Sequence, residues 1–294
     1  DSWMRNNGGQ PSQSYDLYVD KHNNYWVLST TVFIFDQKEK KWYNTLNSYL
    51  AAHDMPTLPP DLQVWDVAMD KRGWIWLATD HEGVFVLNMF TKEVNAMTKK
   101  QIALAAVEAL KAEYPDAICS LSYDEPWQLL VSVRLSAQCT DARVNIVTKP
   151  LFQRYTSLKA FADADIAELE EIVKPCGFYK MKARSIKEAC GQLLNDFNGV
   201  IPDNMDDLLK LSGVGRKTAN LLLGDIYHQP AVVADTHFIR ITGKLGLTKE
   251  KEPTKVESDL RKLLPPEESS DFCHRVVQFG RDVCKARKNL CNAL

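Results

Sequence analysis

Residues 207–220 read Asp207-Leu-Leu-Lys-Leu-Ser-Gly-Val-Gly-Arg-Lys-Thr-Ala-Asn220 and contain the most informative pattern of the chain. The apolar spacing predicts a helix that ends near Leu211, a Gly-x-Gly turn, and a second helix that starts near Arg216. Glycine permits the tight backbone of such a turn and leaves main-chain N–H groups uncovered. The turn Gly213-Val214-Gly215 is therefore either an anion site at the positive end of a helix or an ordinary corner between two helices.

A lysine and an aspartate stand near this turn. Lys217 falls in the first turn of the second helix, where the positive helix end favours the free amine that a nucleophile needs. Asp235 lies in Val233-Ala-Asp-Thr-His-Phe-Ile-Arg240, at a position typical of a helix N-cap. Each residue alone is also explained as a solvated lysine or a plain cap. With the glycine turn and a short return after the helix, the pair predicts a lysine nucleophile beside a carboxylate.

From Thr98 onward, the apolar residues recur at helical spacing. Ile186, Cys190, Leu193, Leu194 and Phe197 share one face of a predicted helix that stops at Gly199. No convincing strand lies in this segment, which predicts an all-α domain of roughly 200 residues. Similar patterns predict further helices at about 98–114, 126–135, 140–153, 204–211, 216–227, 236–245 and 269–283.

Three motifs of this segment occur together in one known family: Leu211-Ser-Gly-Val-Gly-Arg-Lys-Thr-Ala-Asn220, Asp235-Thr-His237 and Leu135-Ser-Ala-Gln-Cys-Thr-Asp141. They resemble the helix-hairpin-helix DNA glycosylases, and the endonuclease III branch most of all. The resemblance covers about 97–291. It implies a six-helix subdomain of about 119–229 and a second subdomain from 98–118 plus 230–294.

The resemblance implies a bifunctional DNA glycosylase/AP lyase that removes oxidised pyrimidines in base-excision repair. Lys217 would attack C1′ of the damaged nucleotide, release the base and form an imine, after which β-elimination nicks the strand. Asp235 would activate the nucleophile and stabilise positive charge on the sugar. The expected partner is double-stranded DNA with a damaged base or an abasic site, bound by a monomer.

The same family flips its target base out of the duplex, so that other side chains must fill the gap. Gln138 matches the family's void-filling glutamine. Phe178, in Cys176-Gly-Phe-Tyr179, takes the place of its apolar wedge, which is usually Leu; a Phe can also stack between bases. His237 and the hairpin residues Gly213, Val214 and Gly215 are carried over as DNA contacts.

Two further assignments beside these residues stay open. Lys180, Lys182 and Arg184 form a basic run after the wedge, either on a loop that faces DNA and neutralises phosphates or on an ordinary solvated face. Asp141 matches a residue of the family's base pocket and is equally well explained as a helix cap.

Endonuclease III relatives hold a [4Fe–4S] cluster through a Cys-x6-Cys-x2-Cys-x5-Cys motif. Cys284 and Cys291 match the first two ligands, whereas the third would fall at 294, which is Leu. Two thiolates cannot supply the four usual ligands. The resemblance thus implies a cluster, and the residues leave open a truncated, a rearranged or a cluster-free end. The other five cysteines have no ligand spacing and are predicted to be buried small hydrophobes.

Residues 1–94 have a different composition. They carry 8 basic and 12 acidic residues and six of the seven Trp, whereas all seven Cys lie in 95–294. Asp16 and Asp66, Asp20 and Asp70, and Trp26 and Trp76 are each 50 residues apart. Short aromatic and β-branched runs predict strands at 15–20, 24–28, 32–35, 65–70, 74–78 and 84–87.

A period of about 50 residues with several strands is typical of propeller blades. Asp70-Lys-Arg-Gly-Trp-Ile-Trp-Leu-Ala-Thr79 resembles the two-component-regulator propeller repeat of bacterial extracytoplasmic sensors. The predicted fold is therefore multidomain, with an all-β propeller-like fragment of about two blades at 1–94 joined to an all-α helix-hairpin-helix glycosylase domain at 98–294. The fragment shows no catalytic or metal pattern. Two alternatives remain, a sensor or scaffold module with an inactive DNA-binding glycosylase domain and a monofunctional glycosylase, although the adenine-specific branch of the latter lacks a Lys at 217.

The two segments meet at Asn95-Ala-Met97, which resembles the end of a tag-cleavage scar followed by a start Met. We therefore expect an artificial junction at 95–97. A sensor propeller belongs outside the cytoplasm and a glycosylase with chromosomal DNA inside it, which favours the same interpretation. The chain begins at Asp1, as expected for a fragment or a processed product. No run of about 18 apolar residues occurs, which excludes a membrane protein.

Overall fold

The computed structural model describes residues 16–29, 31–70, 72–79, 83–285 and 288–289. The described residues fall into two compact units. One contains the residues up to Ala105 together with those from Val283 on, and the other is Ala106–Asp282. Among the described residues, no helix combines the length and the apolar character needed to cross a membrane.

The first unit contains two four-stranded antiparallel sheets in which consecutive strands are neighbours. All six predicted strands are confirmed, and Tyr15, where the first was predicted to begin, lies outside the described residues. The fourth strand of each sheet was not predicted, because one has three residues and the other overlaps the residues interpreted as a junction. The strands are β1 (Asp16–Val19), β2 (Tyr25–Leu28), β3 (Val32–Asp36), β4 (Lys41–Tyr43), β5 (Val64–Met69), β6 (Ile75–Thr79), β7 (Val84–Asn88) and β8 (Glu93–Met97), with α1 (Leu46–Ala52) between the sheets.

The 50-residue repeat has a structural cause in the loop between the first two strands of each sheet. The carboxylate of Asp20 accepts hydrogen bonds from the backbone of Asn24 and from the indole of Trp26, both at 2.9 Å. Asp70 accepts the indole N–H of Trp76 at 3.2 Å in the same way. The two sheets share one apolar core. They have the strand number and order of two blades, but a propeller is not established.

Residues 95–97, the expected junction, continue strand β8. Asn95, Ala96 and Met97 pair with Val86, Phe85 and Val84 of β7. The segment is thus a full part of the second sheet. Whether the join is artificial stays a prediction.

The second unit is helical throughout, as predicted for this segment. Each predicted helical segment contains a helix, whereas α5, α6 and α11 were not predicted. The helices are α2 (Lys99–Glu113), which begins in the first unit, α3 (Pro126–Ser136), α4 (Asp141–Arg154), α5 (Leu158–Ala162), α6 (Ile166–Val173), α7 (Tyr179–Asp196), α8 (Met205–Leu208), α9 (Arg216–Tyr227), α10 (Thr236–Lys244), α11 (Pro253–Leu263) and α12 (Ser269–Asp282). A two-residue strand pair, β9 (Cys284–Lys285) and β10 (Lys288–Asn289), follows in the first unit. The prediction that no strand lies in 98–294 is wrong at this pair.

Helix α7 runs through the centre of the helical core. Ile186, Cys190 and Leu193 are almost fully buried, as their spacing predicts, but Leu194 lies at the margin of the core with 36% exposure. The helix begins at Tyr179, seven residues before the predicted apolar face. It ends at Asp196, and Gly199, at φ +78°, donates its N–H to the carbonyl of Leu193 at 2.7 Å. Gly199 thus closes the helix in the left-handed conformation that favours glycine.

Candidate active site

The Gly-x-Gly turn joins α8 to α9. Gly213 has φ +74°, and Val214, which is 7% exposed, donates its N–H to the carbonyl of Leu211 at 3.0 Å. Ser212 donates its N–H to Oε1 of Gln192 in α7 at 2.7 Å. The buried side chain of Val214 and the hydrogen bond from Ser212 to Gln192 therefore hold the turn in place. The two glycines are exposed.

Helix α9 begins without a side-chain cap, since its N-cap residue is Gly215. The first amides of a helix lack intrahelical acceptors, and together with the helix dipole they attract anions. Lys217 is exposed in the first turn of this helix. The structure thus places a lysine at the positive end of a helix, directly after an open glycine turn.

The residue before Lys217 is fixed by a buried carboxylate. Arg216 donates from Nε and Nη2 to Glu257 of α11 at 2.7 and 2.9 Å, and Arg261 donates to the same carboxylate at 3.0 Å. Glu257 is 3% exposed. Burial alone would raise the pKa of Glu257, but hydrogen bonds from Arg216, Asn220 and Arg261 outweigh it and hold the pKa below its usual value. No local sequence pattern indicates this network, because Glu257 is 41 residues from Arg216.

Asp235 is the N-cap of α10, as its sequence position predicts. Its Oδ1 accepts the backbone N–H of Phe238 at 2.7 Å, and the side chain is partly buried. The preceding residues 231–234 are buried. Helices α9 and α10, which carry Lys217 and Asp235 at their N-terminal ends, both pack on α12.

Gln138 and Phe178 share an unusual backbone conformation. Gln138 follows α3 with φ +54°, and Phe178 precedes α7 with φ +48°. Both side chains are exposed, Phe178 by 61%. A left-handed conformation costs a residue other than glycine about 1–2 kcal/mol, and such strain concentrates at functional sites.

The interpretation of Lys180, Lys182 and Arg184 as a basic run on a loop that faces DNA is wrong, and that of a solvated face fails at Lys182. All three belong to α7, where Lys180 and Arg184 are exposed but Lys182 is only 2% exposed. Its ammonium group donates to the carbonyls of Leu135 and Cys176, both at 2.8 Å. Lys182 is therefore not free to neutralise a phosphate. The helical period would have indicated this, because Lys182 lies four residues before the buried Ile186.

Asp141 is the first residue of α4, and the cap of that helix is Thr140, whose side chain accepts the N–H of Arg143. Oδ2 of Asp141 accepts hydrogen bonds from Ser120 at 2.5 Å and from Arg281 at 2.6 Å. Ser120 and Arg281 also line a cavity of about 340 Å³, together with Ile118 and residues of α12. Sequence reasoning missed both partners, because they lie far from Asp141 in the chain.

His237, predicted as a DNA contact, is partly buried against α12. Its Nδ1 lies 3.1 Å from Nη2 of Arg240. A Cβ added at Gly280 would lie 3.1 Å from Cβ of His237, so the two helices approach closely at this point.

The cysteine set does not fit a [4Fe–4S] cluster. Cys284 is buried, and Cys291 lies outside the described residues. Within the part of the chain that the structure describes, no group of three or more His, Cys, Asp or Glu could hold a metal ion. This chain supplies two of the four thiolates that the cluster takes in relatives, and no catalytic step is assigned to it.

The remaining cysteines behave largely as small hydrophobes. Cys176, Cys190 and Cys273 are buried, as predicted, and burial raises the pKa of the Cys190 and Cys273 thiols to about 12. They are therefore neutral at physiological pH. The prediction of burial is wrong for Cys119 and Cys139, which are only partly buried.

Comparison with known proteins agrees with this architecture. Residues 131–266 match the family model of the HhH-GPD superfamily base excision DNA repair proteins. A solved structure of a non-covalent endonuclease III–DNA complex has a TM-score of 0.64 with this chain at 40% identity, covering 67% of this chain and 92% of that one. A trapped endonuclease III–DNA covalent intermediate also gives 0.64 at 40% identity, with 67% and 93% coverage.

The fold of the helical segment is thus that of the helix-hairpin-helix base excision repair glycosylases. Endonuclease III of Synechocystis sp. is 47% identical over 195 residues, which are 66% of this chain and 89% of that protein. The chain belongs to the endonuclease III family, whose members are DNA N-glycosylases.

Proposed function

We propose that this chain excises oxidised pyrimidines from duplex DNA and then nicks the strand, with Lys217 as the nucleophile. The observation that carries the proposal is the exposed Lys217 in the first turn of an uncapped helix, directly after the Gly213-Val214-Gly215 turn. The covalent endonuclease III–DNA intermediate of a 40% identical protein supports it.

The chemistry follows from a free amine at this position. The lone pair of Nζ attacks C1′ as the bond from C1′ to the base breaks, and the base leaves with that electron pair and takes up a proton. Loss of the amine proton and opening of the sugar ring give an imine between Lys217 and C1′. Removal of a proton from C2′ then expels the 3′ phosphate by β-elimination, and water hydrolyses the remaining imine.

Asp235 would assist both parts of the first step. A carboxylate accepts the proton that the ammonium group of Lys217 must lose, and it stabilises the positive charge that develops on the sugar. Its cap hydrogen bond to Phe238 uses Oδ1 and holds the side chain in one orientation. Asp141, held by Ser120 and Arg281, is assigned to the pocket that receives the base.

The proposed partner is double-stranded DNA with a damaged base or an abasic site. The open amides of Gly213 and Gly215 and the positive end of α9 suit a backbone phosphate, which fixes register without reading sequence. Lys180 and Arg184 are exposed and add positive charge beside the wedge. Gln138 and Phe178 would enter the space that the flipped nucleotide leaves, and His237 stays a proposed DNA contact.

The domain assignment is part of the proposal. We assign 98–294 to the glycosylase, with subdomains at about 119–229 and at 98–118 plus 230–294. Residues 1–94 are assigned to a propeller fragment of about two blades. Its two sheets of equal strand order and the repeated Asp-to-Trp hydrogen bond support that assignment.

Borohydride trapping tests the function. The purified chain and its Lys217→Ala variant are incubated with duplexes that carry one thymine glycol or one abasic site. We expect a covalent adduct with the parent chain only, and DNA binding within about threefold of it in the variant. Lys210→Ala, an exposed lysine before the same turn, is the matched control and keeps the adduct.

The outcomes separate the competing functions. Base release without strand scission would favour a monofunctional glycosylase. Binding to the damaged duplex without base release or scission would favour a sensor or scaffold module. An adduct that persists in Lys217→Ala would show that another amine is the nucleophile.

A further inference from the structure

Lys182 is a fully enclosed ammonium group. It is 2% exposed, and Nζ lies 2.8 Å from the carbonyl oxygen of Leu135 and 2.8 Å from that of Cys176. Among the described residues, no carboxylate forms an ion pair with it; both hydrogen bonds go to the backbone. Burial lowers the pKa of Lys182. A buried, unpaired ammonium is costly, so two charge-assisted hydrogen bonds must offset the loss of water.

The two acceptors belong to separate chain segments. Leu135 lies in the last turn of α3, and Cys176 ends a short 3-10 turn, Lys174–Cys176. Carbonyl groups at such ends carry partial negative charge and lack intrahelical donors. One lysine therefore satisfies and joins two helix ends that are 41 residues apart in sequence.

Both helix ends lead directly to a left-handed residue. Leu135 is three residues before Gln138, at φ +54°, and Cys176 is two residues before Phe178, at φ +48°. The exposed side chains of Gln138 and Phe178 are the two proposed gap fillers. Lys182 also donates its own backbone N–H to the carbonyl of Phe178 at 3.1 Å. The spacing between the two gap fillers is thus set by hydrogen bonds that converge on Lys182.

We propose that Lys182 is a positioning residue that holds Gln138 and Phe178 at one fixed separation, so that they enter the duplex as a single unit. The inference rests on the proposed function, because it assumes that the two residues fill the gap of a flipped nucleotide. It gives the buried lysine a role in opening the duplex, without contact to DNA.

The test compares substrates that differ in the cost of flipping. One duplex carries thymine glycol opposite adenine, and the other carries an abasic site opposite a one-nucleotide gap, where little stacking must be broken. We expect Lys182→Met to lower single-turnover excision from the first about tenfold, with less than threefold effect on scission of the second. Lys182→Arg, which keeps the donors, should recover part of the loss. A purely structural role would lower both rates by the same factor.

The matched control is Lys187→Met in the same helix. Lys187 also donates to a backbone carbonyl, that of Ala164, but this contact leads to neither gap filler. We expect the ratio of the two rates to stay unchanged in this variant. A tenfold change in the ratio here as well would assign the effect to helix α7 in general and overturn the proposal.

A second measurement begins with variants that keep Lys182. Gln138→Ala and Phe178→Ala are combined in a double-mutant cycle, with excision of paired thymine glycol as the readout. If the two residues act as a unit, the double variant loses little more than the worse single variant. Multiplicative losses would overturn the proposal, as would a full Lys182→Met effect in the double-alanine background. An inactive parent chain would instead refute the proposed function, and this inference with it.

Discussion

The guanidinium group of Arg134 lies directly against the backbone of Gly213. A Cβ built on Gly213 would lie 2.4 Å from Nε and 2.5 Å from Cζ of Arg134, and Nη2 of the arginine donates to Ser185 at 2.9 Å. Burial lowers the pKa of Arg134, but arginine stays charged at physiological pH. The glycine turn therefore packs against the charged guanidinium group of Arg134 in α3.

This contact predicts that replacement by alanine destabilises the chain more at Gly213 than at Gly215. Gly213→Ala needs a left-handed alanine and a displaced Arg134, and we expect a loss of about 2–4 kcal/mol in the free energy of unfolding. Gly215, at φ −104° with nothing within 4 Å of a built Cβ, should lose at most about 1 kcal/mol as alanine. Denaturant unfolding measures both. Equal losses would contradict the role of the Arg134 contact.

Variants of Asp235 can separate its role as a helix cap from its proposed role in catalysis. Asparagine caps a helix as well as aspartate, so Asp235→Asn should change the free energy of unfolding by less than about 0.5 kcal/mol. It lacks the charge and the basic oxygen, and we expect base release to fall at least about a hundredfold. Single-turnover kinetics and thermal unfolding of Asp235→Asn and Asp235→Ala test this. An Asp235→Asn variant with normal base release would reduce Asp235 to a cap.

The buried Glu257 predicts a pH dependence of stability. Because its pKa is lower in the folded chain than the usual 4.5, its stabilisation is fully present above the unfolded value and is lost as the pH falls through the folded value. We expect Glu257→Gln to lose about 1–3 kcal/mol at pH 7. The difference in the free energy of unfolding between Glu257→Gln and the parent chain should become smaller below about pH 5. A difference in stability that stays constant down to acid pH would show that Glu257 does not titrate as described.

The repeated loop of the two sheets predicts that Asp20→Ala and Asp70→Ala lower the free energy of unfolding by different amounts. Asp20 is 8% exposed and accepts the indole of the fully buried Trp26, so Asp20→Ala leaves buried donors without acceptors. We expect a loss of about 2–4 kcal/mol. Asp70 is more exposed and is shared with Arg72, so Asp70→Ala should cost about 1 kcal/mol. Tryptophan fluorescence during unfolding reports both variants, and the reverse order would contradict the structure.

Sequence patterns predicted local features well. The apolar spacing after the glycine turn allowed the limits of α9, 216–227, to be predicted correctly, and the cap at Asp235 followed from its residue type. Relationships between distant residues could not be predicted in this way, since no periodicity links Arg281 to Asp141 or Arg134 to Gly213. Lys182 was misassigned because its charge was given more weight than its helical position relative to Ile186. The strand β8 was missed because its last three residues, 95–97, were interpreted as a junction.

The position of strand β8 has a consequence for any division of the chain between residues 94 and 95. Residues 95–97 complete a sheet whose next strand, β7, is apolar and largely buried. If the chain were cut before Asn95, part of the outer row of N–H and C=O groups of β7 would be uncovered. An exposed apolar edge of this kind recruits strands from other molecules, and self-association of the severed N-terminal piece would follow.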